Sequence, residues 1–137
     1  MPGPAGSTEI LVIGAGPAGC ACALHLARLG HAVTLVERGG MGRPAAVESV
    51  PAAVLPWLAT LGLAQVVSGA GFLRPTSAWV QWAGPARQVV ESQAGFQVER
   101  NRFDALLRHA ARSAGVQARS SSARRLSNSS SVIGFQT

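Results

Sequence analysis

Short apolar runs and longer amphipathic stretches alternate through the first quarter of the chain. Residues 9–13 hold a run of branched apolar side chains, the pattern of a strand buried in a parallel sheet. A glycine-rich turn follows. An Ala- and Leu-rich stretch from Pro17 to Leu29 then predicts a helix, with Gly30 where a helix stop belongs. Ala32–Val36 reads as a second apolar strand, ended by Glu37. Strand, helix and strand in this order describe a βαβ unit.

The pattern is looser further on. Gly39–Pro44 reads as a loop, and SVPAAVLPWLATLGL as a short helix that starts near Pro51 and Pro56 and stops at Gly62. Residues 72–98 alternate weakly, with Trp79, Val80 and Trp82 in one run and Val89 and Val90 in another. They predict two or three strands with turns at AGPA and SQAG. From Arg100 to Ala114, the residues Phe103, Leu106, Leu107 and Ala110 recur at helical spacing, Gly115 caps the helix, and Val116–Ala118 opens another strand. No internal repeat is visible. Beyond Ala118 the texture changes to RSSSARRLSNSSSVIGFQT, Ser-rich and without periodicity. That composition predicts a disordered tail over 119–137 and leaves 1–118 as the folded domain.

Composition narrows the partners. An apolar fraction of 47% in 137 residues suits one ordinary domain with a real core. The net charge is +6 and every cation is Arg. The arginines are scattered except for Arg119, Arg124 and Arg125, and aromatics are sparse, so neither a basic stripe nor a stacking platform for nucleic acid emerges. The start, MPGPAGSTEI, lacks the basic and apolar regions of a secretory signal. The apolar stretch Ile10–Val36 is interrupted by glycines, His25, Arg28 and His31, unlike a membrane span. A cytoplasmic location is the expectation. Cys20 and Cys22 fit neither a redox pair nor a zinc knuckle and read as small packing residues. His25, His31 and His109 have no partners at ligand spacing, so no metal site is expected. Trp57, Trp79 and Trp82 read as core or sheet-face residues.

The chemistry lies in the glycine turn. Gly14, Gly16 and Gly19 form Gly-x-Gly-x-x-Gly between a strand and a helix, the context that gives this otherwise weak motif its meaning. Gly14 permits a tight turn, Gly16 lets backbone approach a pyrophosphate, and Gly19 lets helix and strand pack closely. With Ala15, Pro17 and Ala18 they form a loop whose free amides and helix dipole favour phosphate. Glu37 ends the second strand about 20 residues on, where an acid meets the ribose hydroxyls and repels a 2′-phosphate. Arg38 follows it. Arg43 and Arg100 are candidates to neutralise a diphosphate, since guanidinium forks match phosphate oxygens.

The longer pattern, Gly14-x-Gly16-x-x-Gly19-x-x-x-Ala23-x-x-Leu26-x-x-x-Gly30-x-x-Val33-x-x-x-Glu37, resembles the amino-terminal FAD fingerprint of flavoproteins with two dinucleotide-binding domains. GRPAAVESVPAAVLPWLATLGL and FQVERNRFDALLRHAARSAGV are similar to segments of the para-hydroxybenzoate hydroxylase-like group, in its flavin monooxygenase, halogenase and quinone-cofactor-maturation branch. That group has a Gly-Glu-Ser segment near the flavin. Here Val47 stands in place of the glycine, and Glu48 and Ser49 match. Arg100 matches the family arginine that precedes a helix against the FAD, with Phe103 and Asp104 following.

The resemblance implies an α/β fold, a three-layer Rossmann-like FAD/NAD(P)-binding domain, and FAD as cofactor. The implied activity is FAD-dependent oxidation or monooxygenation of a small-molecule or aminoacyl substrate by a full-length parent. The Asp-Gly and Gly-Asp segments by which the group holds the rest of the flavin do not occur in these 137 residues. The chain is therefore expected to be an incomplete domain that binds the ADP half of FAD and is inactive alone. A non-catalytic nucleotide-binding or interaction module derived from such an enzyme, or an NAD-binding fragment, is the alternative. The chain also lacks the lysine that flavin halogenases use, and Trp79-x-x-Trp82 is not the halogenase tryptophan motif. No catalytic acid, base or nucleophile is assigned.

Overall fold

A computed structural model describes residues 9–38, 46–80, 84–85, 87–90, 95–125 and 133–136. The chain divides into two compact units, Met1–Gly42 with Asp104–Thr137, and Arg43–Phe103.

In the first unit, β1 (Ile10–Ile13), α1 (Pro17–Arg28) and β2 (Val33–Glu37) form the βαβ unit that the apolar pattern predicts. β1 pairs with β2 in parallel, Ile10 opposite Val33 and Ile13 opposite Val36. A third parallel strand, β7 (Gln117–Ser120), lies on the other side of β2, with Glu37 opposite Ser120. β2 is thus the central strand, and Val33, Thr34, Leu35 and Val36 are all buried. β1, at the edge among the described strands, is less buried, and Ile13 is 60% exposed. The sheet-facing side of α1 carries Cys20, Ala23 and Leu24, mostly small residues that let a helix approach a sheet closely. Leu107, Ala111 and Val116 complete this core. Gly30 and Gly115, where the pattern placed helix stops, adopt φ of 94° and 93°.

In the second unit, β3 (Val47–Val50) pairs antiparallel with β6 (Phe96–Glu99). Between them run a 3-10 turn (Ala52–Val54), α2 (Leu55–Thr60), α3 (Ala64–Ser68) and the antiparallel pair β4 (Ser77–Val80) and β5 (Arg87–Val90). Leu58, Leu63, Val67, Phe96, Val98 and Phe103 form the core. Of the two or three strands expected over 72–98, three are present, with Gly84 and Pro85 in the connection of the first two; most of SQAG lies outside the described residues. Gly62, where the pattern placed the helix stop, follows α2 at φ 60°, and a further short helix that the pattern did not predict, α3, starts after Leu63. Trp57 departs from its expected core placement: it is 71% exposed, because in the six-residue α2 only the adjacent Leu58 turns inward.

The helix α4 (Arg100–Ser113) begins in the second unit and ends in the first. Within the segment 119–137, β8 (Ser122–Arg125) pairs antiparallel with β9 (Ile133–Gln136).

Candidate functional site

The candidate site is built at the carboxyl ends of β1 and β2, where ligands of open α/β sheets bind. Gly14 leaves β1 at φ 102°, a conformation that strains any residue with a Cβ. Its N–H donates to the Val36 carbonyl at 2.7 Å, which extends the ladder one residue past the strand. A Cβ on Gly19 would collide with the Gly14 carbonyl oxygen, so this position requires glycine for packing. Gly16 differs. It is the N-cap of α1 with extended backbone, and a Cβ there would meet nothing within 4 Å. The loop fits a group that needs close backbone approach, because no protein atom covers Gly16 on the side where its Cβ would stand.

Pro17 occupies the first position of α1, where its missing N–H costs no hydrogen bond. The first-turn amides of a helix have no intrahelical acceptor, and the Gly16 N-cap has no side chain to supply one. The first turn also carries no acidic residue. The positive end of the helix dipole therefore faces the open side of the loop. Ala15 is buried, Ala18 is exposed, and Gly14, Gly16, Pro17 and Gly19 are half-buried.

Glu37 is exposed at the end of β2, and its Oε2 accepts the Ala15 N–H at 2.5 Å. Its own carbonyl accepts the Ser121 N–H at 2.9 Å. The acid expected at the ribose thus also touches the glycine loop, a contact made across 22 positions of sequence that no local pattern shows. Arg38 is exposed beside it. Arg43 lies outside the described residues.

Arg100 stands in the second unit as the first residue of α4. Its backbone N–H donates to the Ala46 carbonyl at 2.9 Å, and its Nη1 lies 2.7 Å from Glu48 Oε2. The Arg100 side chain is 15% exposed and Glu48 50% exposed. The carboxylate compensates a guanidinium set at the positive end of a helix dipole. Ser49 and Gln97, cross-strand partners of β3 and β6, hydrogen-bond through their side chains at 2.8 Å.

The cysteines and histidines separate in their surroundings. Cys20 is buried, its thiol donates to the Ala15 carbonyl at 3.3 Å, and burial pushes the thiol up to about 11. Cys22 is exposed, against the packing expectation, because two residues along a helix turn to different sides. His25 and His109 are exposed. His31 Nδ1 lies 3.2 Å from Glu9 Oε1, an acidic partner distant in sequence, and this contact holds the Glu9 carboxyl below its usual range. Among the described residues no helix is long and apolar enough to cross a membrane.

A parallel βαβ sheet with this loop and an acid closing the second strand defines the dinucleotide-binding α/β class. The comparisons narrow it. Residues 9–56 match the family model described as FAD dependent oxidoreductase. The chain is 36% identical over 115 residues to a tryptophan 2-halogenase of Chondromyces crocatus, a match covering 81% of this chain and 22% of that protein. The structure of a myxobacterial chondrochloren halogenase, an FAD-dependent halogenase, superposes with a TM-score of 0.77 at 29% identity, over 85% of this chain and 29% of that one. A peptidyl tryptophan dihydroxylase required for tryptophylquinone cofactor biogenesis gives 0.70 at 35% identity, over 95% of this chain and 28% of that one. The chain is homologous to part of flavin-dependent halogenases and of a peptidyl tryptophan dihydroxylase, with the FAD dependent oxidoreductase model matched at residues 9–56. FAD is the cofactor of this family. The chain spans about a quarter of the length of these relatives, 22% of the halogenase from Chondromyces crocatus.

Proposed function

We propose that this chain binds the ADP half of FAD and is inactive alone as an oxidoreductase. Gly14, Ala15, Gly16, Pro17, Ala18 and Gly19 receive the diphosphate, Glu37 the ribose hydroxyls and Arg38 the adjoining adenosine. Arg43 and Arg100 supply cations for the phosphates. Residues 1–118 constitute the FAD-binding domain in this reading. The observation that carries it is the division of labour in the loop: Gly14 and Gly19 are required by the protein's own geometry, while Gly16 opens onto unfilled space.

Bound FAD supplies the redox chemistry; the residues here hold its adenosine end. Glu37 favours a free 2′-hydroxyl and disfavours a 2′-phosphate, which suits FAD and excludes NADP from this site. A full-length parent would oxidise or monooxygenate a small-molecule or aminoacyl substrate, a reading supported by relatives named for tryptophan and for peptidyl tryptophan.

Thermal denaturation of the purified chain with FAD, ADP, NAD and NADPH tests this. FAD and ADP should raise the midpoint and NADPH should not. No shift with either FAD or ADP overturns the proposal, and a shift with NAD in the absence of one with FAD replaces it with an NAD site. The FAD-loaded chain should show no oxidation of reduced nicotinamide above free FAD.

A further inference from the structure

We infer that Glu37 is a positioning residue for the phosphate-binding loop as well as a contact for the ribose, so that one carboxylate serves both the sugar and the loop that receives the diphosphate. The inference rests on the proposed ADP site and adds to it a task performed before any ligand arrives.

Glu37 is held from both sides. Its neighbour Val36 accepts the Gly14 N–H at 2.7 Å, and its own carbonyl accepts the Ser121 N–H at 2.9 Å. It also stands in register with Ser120 of β7 at the end of the central strand. Its backbone position is therefore set by the pairing with β7 and the Ser121 bond, to which the Gly14 N–H ties the start of the loop. From that position Oε2 reaches the Ala15 N–H at 2.5 Å. Ala15 is buried and lies between two glycines of unlike conformation, Gly14 at φ 102° and Gly16 in extended backbone. A turn with two glycines has wide conformational freedom, and the cost of ordering it falls on binding unless another group orders it first.

The same contact sits directly before the start of α1. Gly16 offers no side-chain cap and the first turn has no acid, so the first-turn amides stay open to a ligand while the carboxylate from β2 holds the residue just before them. A charge-assisted hydrogen bond to a carboxylate is stronger than a neutral one. Glu37 thus fixes the loop from outside the helix, at the residue just ahead of the Gly16 N-cap.

Sugar recognition alone and loop positioning separate experimentally when the sugar hydroxyls are removed. The full chain, with Glu37→Ala, Glu37→Gln and the shorter Glu37→Asp, is titrated with ADP and with 2′,3′-dideoxy-ADP, and Ala15 amide exchange is followed without ligand. If Glu37 positions the loop, Glu37→Ala weakens dideoxy-ADP by about ten-fold, the factor carried by 1.4 kcal/mol. Glu37→Gln, whose amide oxygen still accepts from Ala15, loses markedly less, and Glu37→Asp, too short to reach, follows Glu37→Ala. Ala15 exchange should be slow in the wild type and fast in Glu37→Ala and Glu37→Asp. Should Glu37→Ala fail to fold, Glu37→Asp carries the comparison.

Equal dideoxy-ADP affinity in all four proteins, with losses confined to ADP, overturns the inference and leaves Glu37 a ribose contact. Fast Ala15 exchange in the wild type overturns it as well. No ADP binding by a wild type with slow Ala15 exchange overturns the proposed site and upholds the positioning of the loop.

Discussion

Gly14, Gly16 and Gly19 share one motif and answer to different constraints. Replacing Gly19 by Ala drives a methyl into the Gly14 carbonyl and should cost about 3 kcal/mol or more. Gly14→Ala strains a φ of 102° and should cost about 1–3 kcal/mol. Gly16→Ala meets no atom and should leave the melting midpoint within about 1 °C, a shift well under 1 kcal/mol, yet its methyl enters the space assigned to the diphosphate. FAD titration beside thermal denaturation reads this contrast. A Gly16→Ala protein that binds FAD as the wild type does would remove the loop from the cofactor site.

The two cysteines give a second residue-scale test. Cys20 is buried with its thiol pushed up to about 11, and Cys22 is exposed. Since thiolate is the reactive form, a thiol reagent at neutral pH should modify Cys22 of the folded chain and spare Cys20 until denaturant is added. Mass spectrometry after digestion locates the label. Modification of Cys20 at the same rate would mean that α1 opens readily.

Among the elements, α4 begins where β6 ends, and its first residue is tied back to the segment before β3. The Arg100 N–H to Ala46 carbonyl bond and the Arg100–Glu48 ion pair hold that junction. Because Glu48 is half exposed, solvent screens the pair, and a double-mutant cycle with Glu48→Gln and Arg100→Met should give a coupling of about 0.5–1 kcal/mol. Additivity of the two substitutions in urea denaturation would show that the pair does not stabilise the junction. β3 illustrates why some elements escape sequence reading. VESV has no apolar periodicity and its residues are mostly exposed, so its strand character comes from pairing with β6, whose Phe96 and Val98 are buried. α1 and β2 were legible because their own apolar pattern matches their burial, and β1 because its branched apolar run marks a strand even where Ile13 stays exposed.

At the scale of the molecule, titration of Cys20 couples to global stability. The folded thiol loses its proton near 11 and the unfolded one near the ordinary thiol value of 9.0, so between these values the unfolded chain holds fewer protons. Stability is therefore full below pH 9.0 and falls as pH rises from there toward about 11. Denaturant midpoints across this range should decline in the wild type and decline less in Cys20→Ala. An identical decline in both would assign the alkaline loss to other groups. Glu9 has the opposite sign: its carboxyl is lowered by His31, so its contribution is present above the ordinary carboxylate range and is lost as pH falls through the lowered value.

The sequence by itself determined the βαβ unit, the place of Gly14, Gly16, Gly19 and Glu37, and the class of cofactor. Each of these depends on local periodicity, on a backbone that only glycine permits, or on a spacing of about 20 residues that follows from strand and helix lengths. The tertiary structure alone decided what distant residues do to one another. It set β7 beside β2, paired β3 with β6, joined Arg100 to Glu48, and brought the Glu37 carboxylate to the Ala15 amide. These contacts join positions 22 to more than 80 residues apart and depend on strand order and register. Neither is encoded in a window of neighbouring side chains; both follow from which apolar faces find each other when the chain closes.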